Sequence, residues 1–434
     1  MDLTVEEYID QLFTDEAFEK PSDTVKPEEL TVELPEWFDE KEFNKGRRFY
    51  WDNCFALSST MLLGLVATLS VPSILKVLIY TYRSTTTYTA YKRYIATFLH
   101  TVSWFEEELK PGSRSWRSLF AVRKHHLQAG LASKLKGIGV VSQRDLALTQ
   151  FGFIGFSILK PDNFGIRQSR AGDWEAYNHF WKVIGYMIGL EDRYNLCRKT
   201  IEETRLACKI VQERVYTPCL ENVPEYYEHM ARVLLEGMVP CVPLLNVENA
   251  IFYCKYLADV PGYIYKEEDR IKLQRNILKQ LKGKPYDTGV ESTALMSACA
   301  VKGLPDLPPR LHYLSDYETL DRSPAYAKLS SYGRFKMNYT LTLLNFYDTS
   351  VGRVLLNMSY MFNYLSMRYF PYGAFLVFGF KNSFVDIFKD SPTDYTKPKT
   401  NAEYYEADKN RVDLPWYLWW IPNPVLNFFR TIFK

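Results

Sequence analysis

The sequence predicts an all-α fold, and three observations carry that expectation. Alternation of apolar and polar residues with period two is almost absent. Apolar residues recur at helical spacing through long stretches, and those stretches are bounded by capping residues and by Pro or Gly. A chain of 434 residues allows either one large helical domain or about two to three smaller ones. We read one helical body over 45–380, preceded by an arm at 1–44 and followed by a polar linker and aromatic segment at 381–434.

The arm holds fifteen acids and three lysines, a net charge of −12 against +2 for the chain, which leaves +14 on the remainder. Pro21, Pro27 and Pro35 break it into an extended or partly helical segment. An acidic arm beside a basic body suits a protein near anionic lipid, or a tail laid on its own domain. The folded body is expected to begin near Phe49-Tyr50-Trp51. From Asn53 through Phe105 there is no Asp or Glu, and Cys54 to Leu75 carries no charge at all. That run is long enough to span a bilayer. Its four Ser, two Thr, Gly64 and Pro72 make it only mildly apolar. A buried helical hairpin bent at Ser70-Val71-Pro72 is the preferred reading, and a membrane span the other.

Thr89 to Glu108 has few breakers and reads as a helix that Pro111-Gly112-Ser113 ends. Trp116 to Lys136 is the next, stopped by Gly137 and Gly139. Ser142-Gln143-Arg144-Asp145 has the form of a capping box opening a helix to Leu159. Asp173 is read as the cap of WEAYNHFWKVIGYMIGL, in which Gly185 and Gly189 permit close helix contact. Further helices are expected at 191–216, 223–237, 245–258, 266–282 and 289–301. Residues 352–380 are aromatic and apolar, and 381–413 polar with prolines. The final LPWYLWWIPNPVLNFFRTIFK sets aromatics beside terminal cations, which suits shallow insertion among headgroups or packing on the body.

Hydrophobic residues make up 47% of the chain and charged ones 24%, which excludes a collagen-like chain and global disorder. A net charge of +2 gives no electrostatic footprint for nucleic acid. The seven Cys are scattered, odd in number and without a CxxC pair, so reduced core thiols are expected and neither a disulfide framework nor a cysteine zinc site. The acidic start lacks the apolar stretch of a secretory signal. P-loop, HExxH, GxSxG and EF-hand signatures are missing. Gly137-Ile-Gly139-Val-Val-Ser142 approaches a dinucleotide fingerprint, but follows a helix and is read as a turn. Asn338 and Asn357 sit in glycosylation sequons.

Six His occur, so each setting can be weighed. Arg93, Thr97, His100 and Trp104 fall on one helix face, a polar stripe in the acid-free part of the chain. If buried, Arg93 needs an anion from elsewhere, such as a phosphate or a cofactor carboxylate; a solvent-facing stripe is the alternative. On the next helix Arg123, His126 and Gly130 share a face. A planar ring could stack at Gly130, with His126 as an axial ligand and Arg123 near an acidic group of the ring system, or His126 is an ordinary core residue. His125 points about 100° away and is the natural control. His179 lies one turn from Glu175, which suggests a structural pair; His229 and His312 have uninformative settings.

The run RYIAT, then VRKHH, then VVSQRDLALTQFGFIGF, then DWEAYNHFWKVIGYMIGLEDRYNLC resembles the family that joins rubber oxygenases (latex clearing proteins) with the endoplasmic-reticulum-bound oxygenases of the MpaB type. The resemblance covers roughly 45–260 and is strongest over 85–197. It implies a globin-like all-α core, a haem b, and oxidative cleavage of a carbon–carbon double bond in an isoprenoid or other unsaturated lipid by dioxygen. It implies the iron ligand at His126, with Arg123 as companion and Gly130 beside the ring. It also implies Arg93 and Thr97 as the catalytic pair lining the haem environment. The partners expected with it are an apolar lipid substrate, dioxygen and a membrane surface, inside the cell and at the endoplasmic reticulum. The helices around 54–80 and Phe151, Gly152, Phe153, Gly155 and Phe156 are candidate channel walls, or ordinary core. Rubber oxygenases resemble one another in a pocket carboxylate ahead of the Arg-x-x-x-Thr element, and no acid stands in 53–105 here. A descendant that binds lipid or haem without catalysis, and a helical membrane protein spanning at 54–80, are the competing readings.

Overall fold

The computed structural model describes residues 3–242, 245–260 and 323–409. The helices expected at 266–282 and 289–301, together with Cys299, His312 and the aromatic segment from Leu414, lie outside the described residues. Within them the chain is all-α. The one pairing of extended backbone is an isolated antiparallel bridge between Pro21 and Ser142.

The arm is laid on its own body. Helices α1 (Val5–Leu12) and α2 (Asp15–Glu19) bury Tyr8, Ile9, Leu12 and Ala17, and α2 rests on α8 (Gln143–Leu159). The body begins earlier than expected. The Asp39 carboxylate accepts hydrogen bonds from the Lys41 and Glu42 N–H groups and so starts α3 (Glu40–Asp52). This helix runs through the boundary expected at 44 and packs along α9 (Asp173–Met187), closely enough that a Cβ at Gly46 would stand 2.5 Å from the Ala176 carbonyl.

The uncharged run forms α4 (Cys54–Thr68) and α5 (Pro72–Tyr80), bent by 89° where Pro72 opens the second helix. No single described helix is long and apolar enough to cross a membrane. Ten of the fifteen α4 residues are buried. Helix α4 meets α8 backbone to backbone: a Cβ at Gly64 would come within 1.7 Å of the Gly152 carbonyl oxygen. Around this pair stand α6 (Thr87–Glu106), capped by Thr86, and α7 (Arg114–Leu135), capped by Ser113. The turn from α7 to α8 uses Gly137 at φ +68°, as the reading of that glycine pair requires. Asp173 is not the cap expected of it. Gly172, at φ +76°, holds that place, and Asp173 Oδ2 accepts from the Ser169 and Arg170 N–H groups instead.

Residues 191–200 are turn rather than helix. The chain then continues through α10 (Ile201–Val211), which α1 packs against, a π turn at Gln212–Tyr216 and α11 (Thr217–Glu221). It goes on through α12 (Tyr227–Met238) and α13 (Val247–Leu257). Then come α14 (Ser331–Tyr347) and the aromatic stretch, which forms α15 (Ser350–Tyr369), α16 (Tyr372–Phe378) and α17 (Phe380–Ser383). An extended segment leads on to α18 (Asn401–Lys409). The six described cysteines are buried free thiols.

Candidate functional site

A cavity of about 270 Å³ lies among α4 to α9, just below the usual range of small-molecule pockets. The polar stripe of α6 faces it: Arg93, Thr97, His100 and Trp104 all line the wall. Helix α7 contributes both His125 and His126, α8 contributes Asp145, Thr149 and Phe153, and α9 contributes Trp181. The α4–α5 bend turns Leu69 and Ile74 toward the same space.

The three imidazoles of the cavity are in different states of engagement. His100 Nδ1 is hydrogen-bonded to Ser118 Oγ at 2.8 Å, and Trp104 Nε1 donates to the same hydroxyl at 2.9 Å. His125 Nε2 stands 3.8 Å from Asp390. His126 alone has a buried ring nitrogen, Nδ1, without a partner. Burial pulls His126 down to about 4, helped by the charges of His125 and Arg93, and burial pulls His100 to about 4 as well. Both rings are therefore neutral at pH 7, the form in which an imidazole nitrogen can take a metal.

Arg93 is poorly compensated. Its guanidinium donates to Thr81 Oγ1 at 2.9 Å, and burial and the like charge of Arg83 lower its pKa. No carboxylate among the described residues pairs with it, so the cavity presents a cation in want of an anion. Thr97 spends its hydroxyl on the Arg93 carbonyl at 3.1 Å.

Three expectations for α7 are corrected. Arg123 does not face the cavity: it forms a double hydrogen bond with Asp23 of the arm, at 2.9 and 2.6 Å. Gly130 does not leave a slot for a ring, because a Cβ there would meet Val141 at 3.4 Å; it lines a smaller cavity under the arm, as Asp23 does. His125 is no clean control either, since it lines the same cavity as His126. His179 pairs with Asp39, whose N–H donates to its Nε2 at 3.2 Å, and not with Glu175. Of the Phe/Gly face on α8, Phe153 reaches the cavity, whereas Phe151 is stacked on Tyr216 and Gly152 is pressed against Gly64. Asn357 uses its side chain inside the fold, donating to the Asp52 carbonyl and accepting from the Phe55 N–H.

Two contributions escaped the sequence. Asp145 is buried at the cavity wall, where Ser73 Oγ donates to its Oδ1 at 2.6 Å and burial raises its pKa. The hydroxyl half of the expected capping box forms, with Asp145 N–H donating to Ser142 Oγ. The signal was the spacing of Asp145, Thr149 and Phe153, which share a face at i, i+4, i+8. The second is the supposed linker. Ile387, Lys389 and Ser391 close one side of the cavity. This strap is held to the α5–α6 turn by Arg83 with Asp390 at 2.9 Å and by Asp394 N–H with the Tyr82 carbonyl at 2.8 Å.

Comparison with known proteins adds a limited likeness. No protein-family model matches the chain. Over 95 residues it is 34% identical to a protein of Streptomyces sp. (strain K30) named Rubber oxygenase, a stretch that is 22% of this chain and 21% of that protein. The chain thus matches about a fifth of the length of that curated relative. Among solved structures, latex clearing protein in the closed state matches with a TM-score of 0.42 and 20% identity, over 63% of this chain and 80% of that one.

Proposed function

We propose that this protein is a haem-dependent oxygenase that cleaves a carbon–carbon double bond of an isoprenoid or other unsaturated lipid with dioxygen. The observation that carries the reading is the pairing of two unmet demands in one cavity: a neutral imidazole with an unpartnered nitrogen at His126, and a buried guanidinium without an acid at Arg93. Haem b meets both, because its iron takes a neutral imidazole and its propionates take a guanidinium. The donor set therefore fits the group. His126 would hold the iron and Arg93 a propionate, while Arg123 and Gly130 have no part in it. Bound haem supplies the oxidative chemistry of dioxygen.

The chain's own residues supply the setting. Leu69, Ile74, Phe153 and Trp181 keep water out and receive an apolar substrate. Asp145, whose pKa burial raises, places a carboxyl at the wall. It gives the cavity the carboxyl group that 53–105 lacks, and so favours a catalyst over a carrier. The likeness to a protein named Rubber oxygenase supports the substrate class.

Absorption spectra of the purified protein and of three single variants test this. A Soret band is expected in wild type, in His100→Ala and in His125→Ala, and its loss in His126→Ala. A wild-type protein that stays free of haem with ample precursor rejects the reading. Loss of the band in another variant instead moves the ligand. Carbonyl products from a polyisoprene substrate under oxygen would exclude the carrier alternative.

A further inference from the structure

The outer face of α15 has no partner among the described residues. Val351, Val354, Leu355, Met358, Phe362 and Leu365 recur at helical spacing and are all exposed, Phe362 by 70% and Met358 by 63%. The inner face anchors the helix: Tyr364 and Arg368 bind Glu106 of α6, and Arg353 donates to Asn53. The apolar surface does not stop at Tyr369. A chain of ring contacts runs from Phe370 through Tyr372, Phe375 and Phe380 to Phe384, with Phe380 exposed by 67%. Three residues on, Ile387 lines the cavity, and Phe388 sets its edge against the His100 ring at 6.3 Å. The exposed face, the chain of rings and the cavity-lining Ile387 therefore follow one another along one stretch of chain. The segment is clipped to α6 as it passes, by Tyr91 to the Ser383 carbonyl and by Lys92 to the Phe384 carbonyl.

Charge decides which occupant suits this face. From Thr349 to Val385 the chain has no acid, and residues 323–400 hold nine cations against four acids; of the cations, Arg353, Arg368 and the buried Lys336 do not belong to the outer face. Lys381 is exposed beside the rings. A second copy would bring like charge onto like charge, whereas an anionic headgroup layer over hydrocarbon complements both the cations and the rings. A patch of this extent is also larger than scattered surface apolar residues produce. We propose that the outer face of α15, with α16, α17 and the strap up to Phe388, is a bilayer-contact surface that takes lipid-dissolved molecules into the cavity. The route into the cavity rests on the functional reading above; the docking of the surface does not.

Flotation of the full chain with vesicles tests it, using phosphatidylcholine alone and phosphatidylcholine doped with phosphatidylserine. Wild type should float, more with phosphatidylserine. The double variants Leu355→Ser/Phe362→Ser and, with the equally exposed Leu376 of α16, Leu376→Ser/Phe380→Ser should each lower the bound fraction at least about fivefold, since binding scales with buried apolar area. Leu135→Ser, which removes an apolar side chain exposed by 86% on α7, should float as wild type does. Matching thermal midpoints and circular dichroism certify the fold of each variant. Failure of wild type to float, or flotation that the face variants leave unchanged, overturns the proposal. So does a wild-type dimer in light scattering that the face variants dissociate without loss of flotation. The measurement uses no haem, so a failed oxygenase reading leaves its outcome unaffected.

Discussion

Ser73 on α5 donates a 2.6 Å hydrogen bond to Oδ1 of Asp145 on α8, joining the far side of the α4–α5 bend to the cavity's buried carboxyl. Removing the donor in Ser73→Ala leaves that oxygen short of a partner and should cost about 1–2 kcal/mol in urea unfolding. Asp145→Asn keeps the shape and the bond, so it should lie closer to wild type in stability. Under the proposed function it should lower turnover while leaving the Soret intensity intact.

Arg93 separates stability from ligand affinity. Arg93→Leu removes a buried cation that lacks an acid partner among the described residues, so the apoprotein should melt no lower than wild type. Haem affinity should fall roughly tenfold, about 1.4 kcal/mol. Equal losses in both measurements would mean that the guanidinium serves only the fold.

The buried imidazoles set a pH dependence. His100 is at about 4 in the folded chain, against about 6.5 unfolded. The unfolded state binds more protons between those values, so stability rises with pH across that window and is lost as the pH falls from about 6.5 toward 4. His100 alone contributes on the order of 3 kcal/mol to that loss. Asp145, raised by burial, opposes it in the acid range, because its neutral form is the one the fold prefers. Urea midpoints from pH 7 to pH 4 should decline, and His100→Asn should flatten the decline.

Two glycines should behave oppositely. Gly64→Ala drives a Cβ into the Gly152 carbonyl, a backbone contact that cannot yield; a loss of about 3 kcal/mol or failure to fold is expected. Gly130→Ala meets Val141 at ordinary van der Waals range, so melting temperature and haem content should both stay at the wild-type level.

Arg123→Ala breaks the double bond to Asp23 and should cost about 2 kcal/mol. Limited proteolysis should then cut the arm ahead of Glu40 sooner than in wild type, with the Soret band unchanged.

The sequence made the all-α class legible because helix caps and apolar period are local signals, and it placed the α6 stripe on one face for the same reason. The bend at Pro72 was readable because proline fixes its own φ. What depended on distant partners was not readable. Arg123 and His126 share a helix face by spacing, yet Asp23 takes Arg123 away from the cavity. The strap at 387–391 shows no pattern of its own, since its role comes from the turn at Tyr82 and Arg83 that holds it. Asp145 looked like a cap because its backbone does that work while its carboxyl does another.

The grip of Arg123 on Asp23 has a further result. Val140 and Val141 face the main cavity on one side and the small space beneath the arm on the other. The two chambers thus share Val140 and Val141 as a common wall, and the smaller is roofed by Pro21 to Thr24 of the acidic arm. A shortened form starting after Asn44, or a bulky fusion that drags on the first turn, would loosen the floor of the larger chamber without touching any residue inside it.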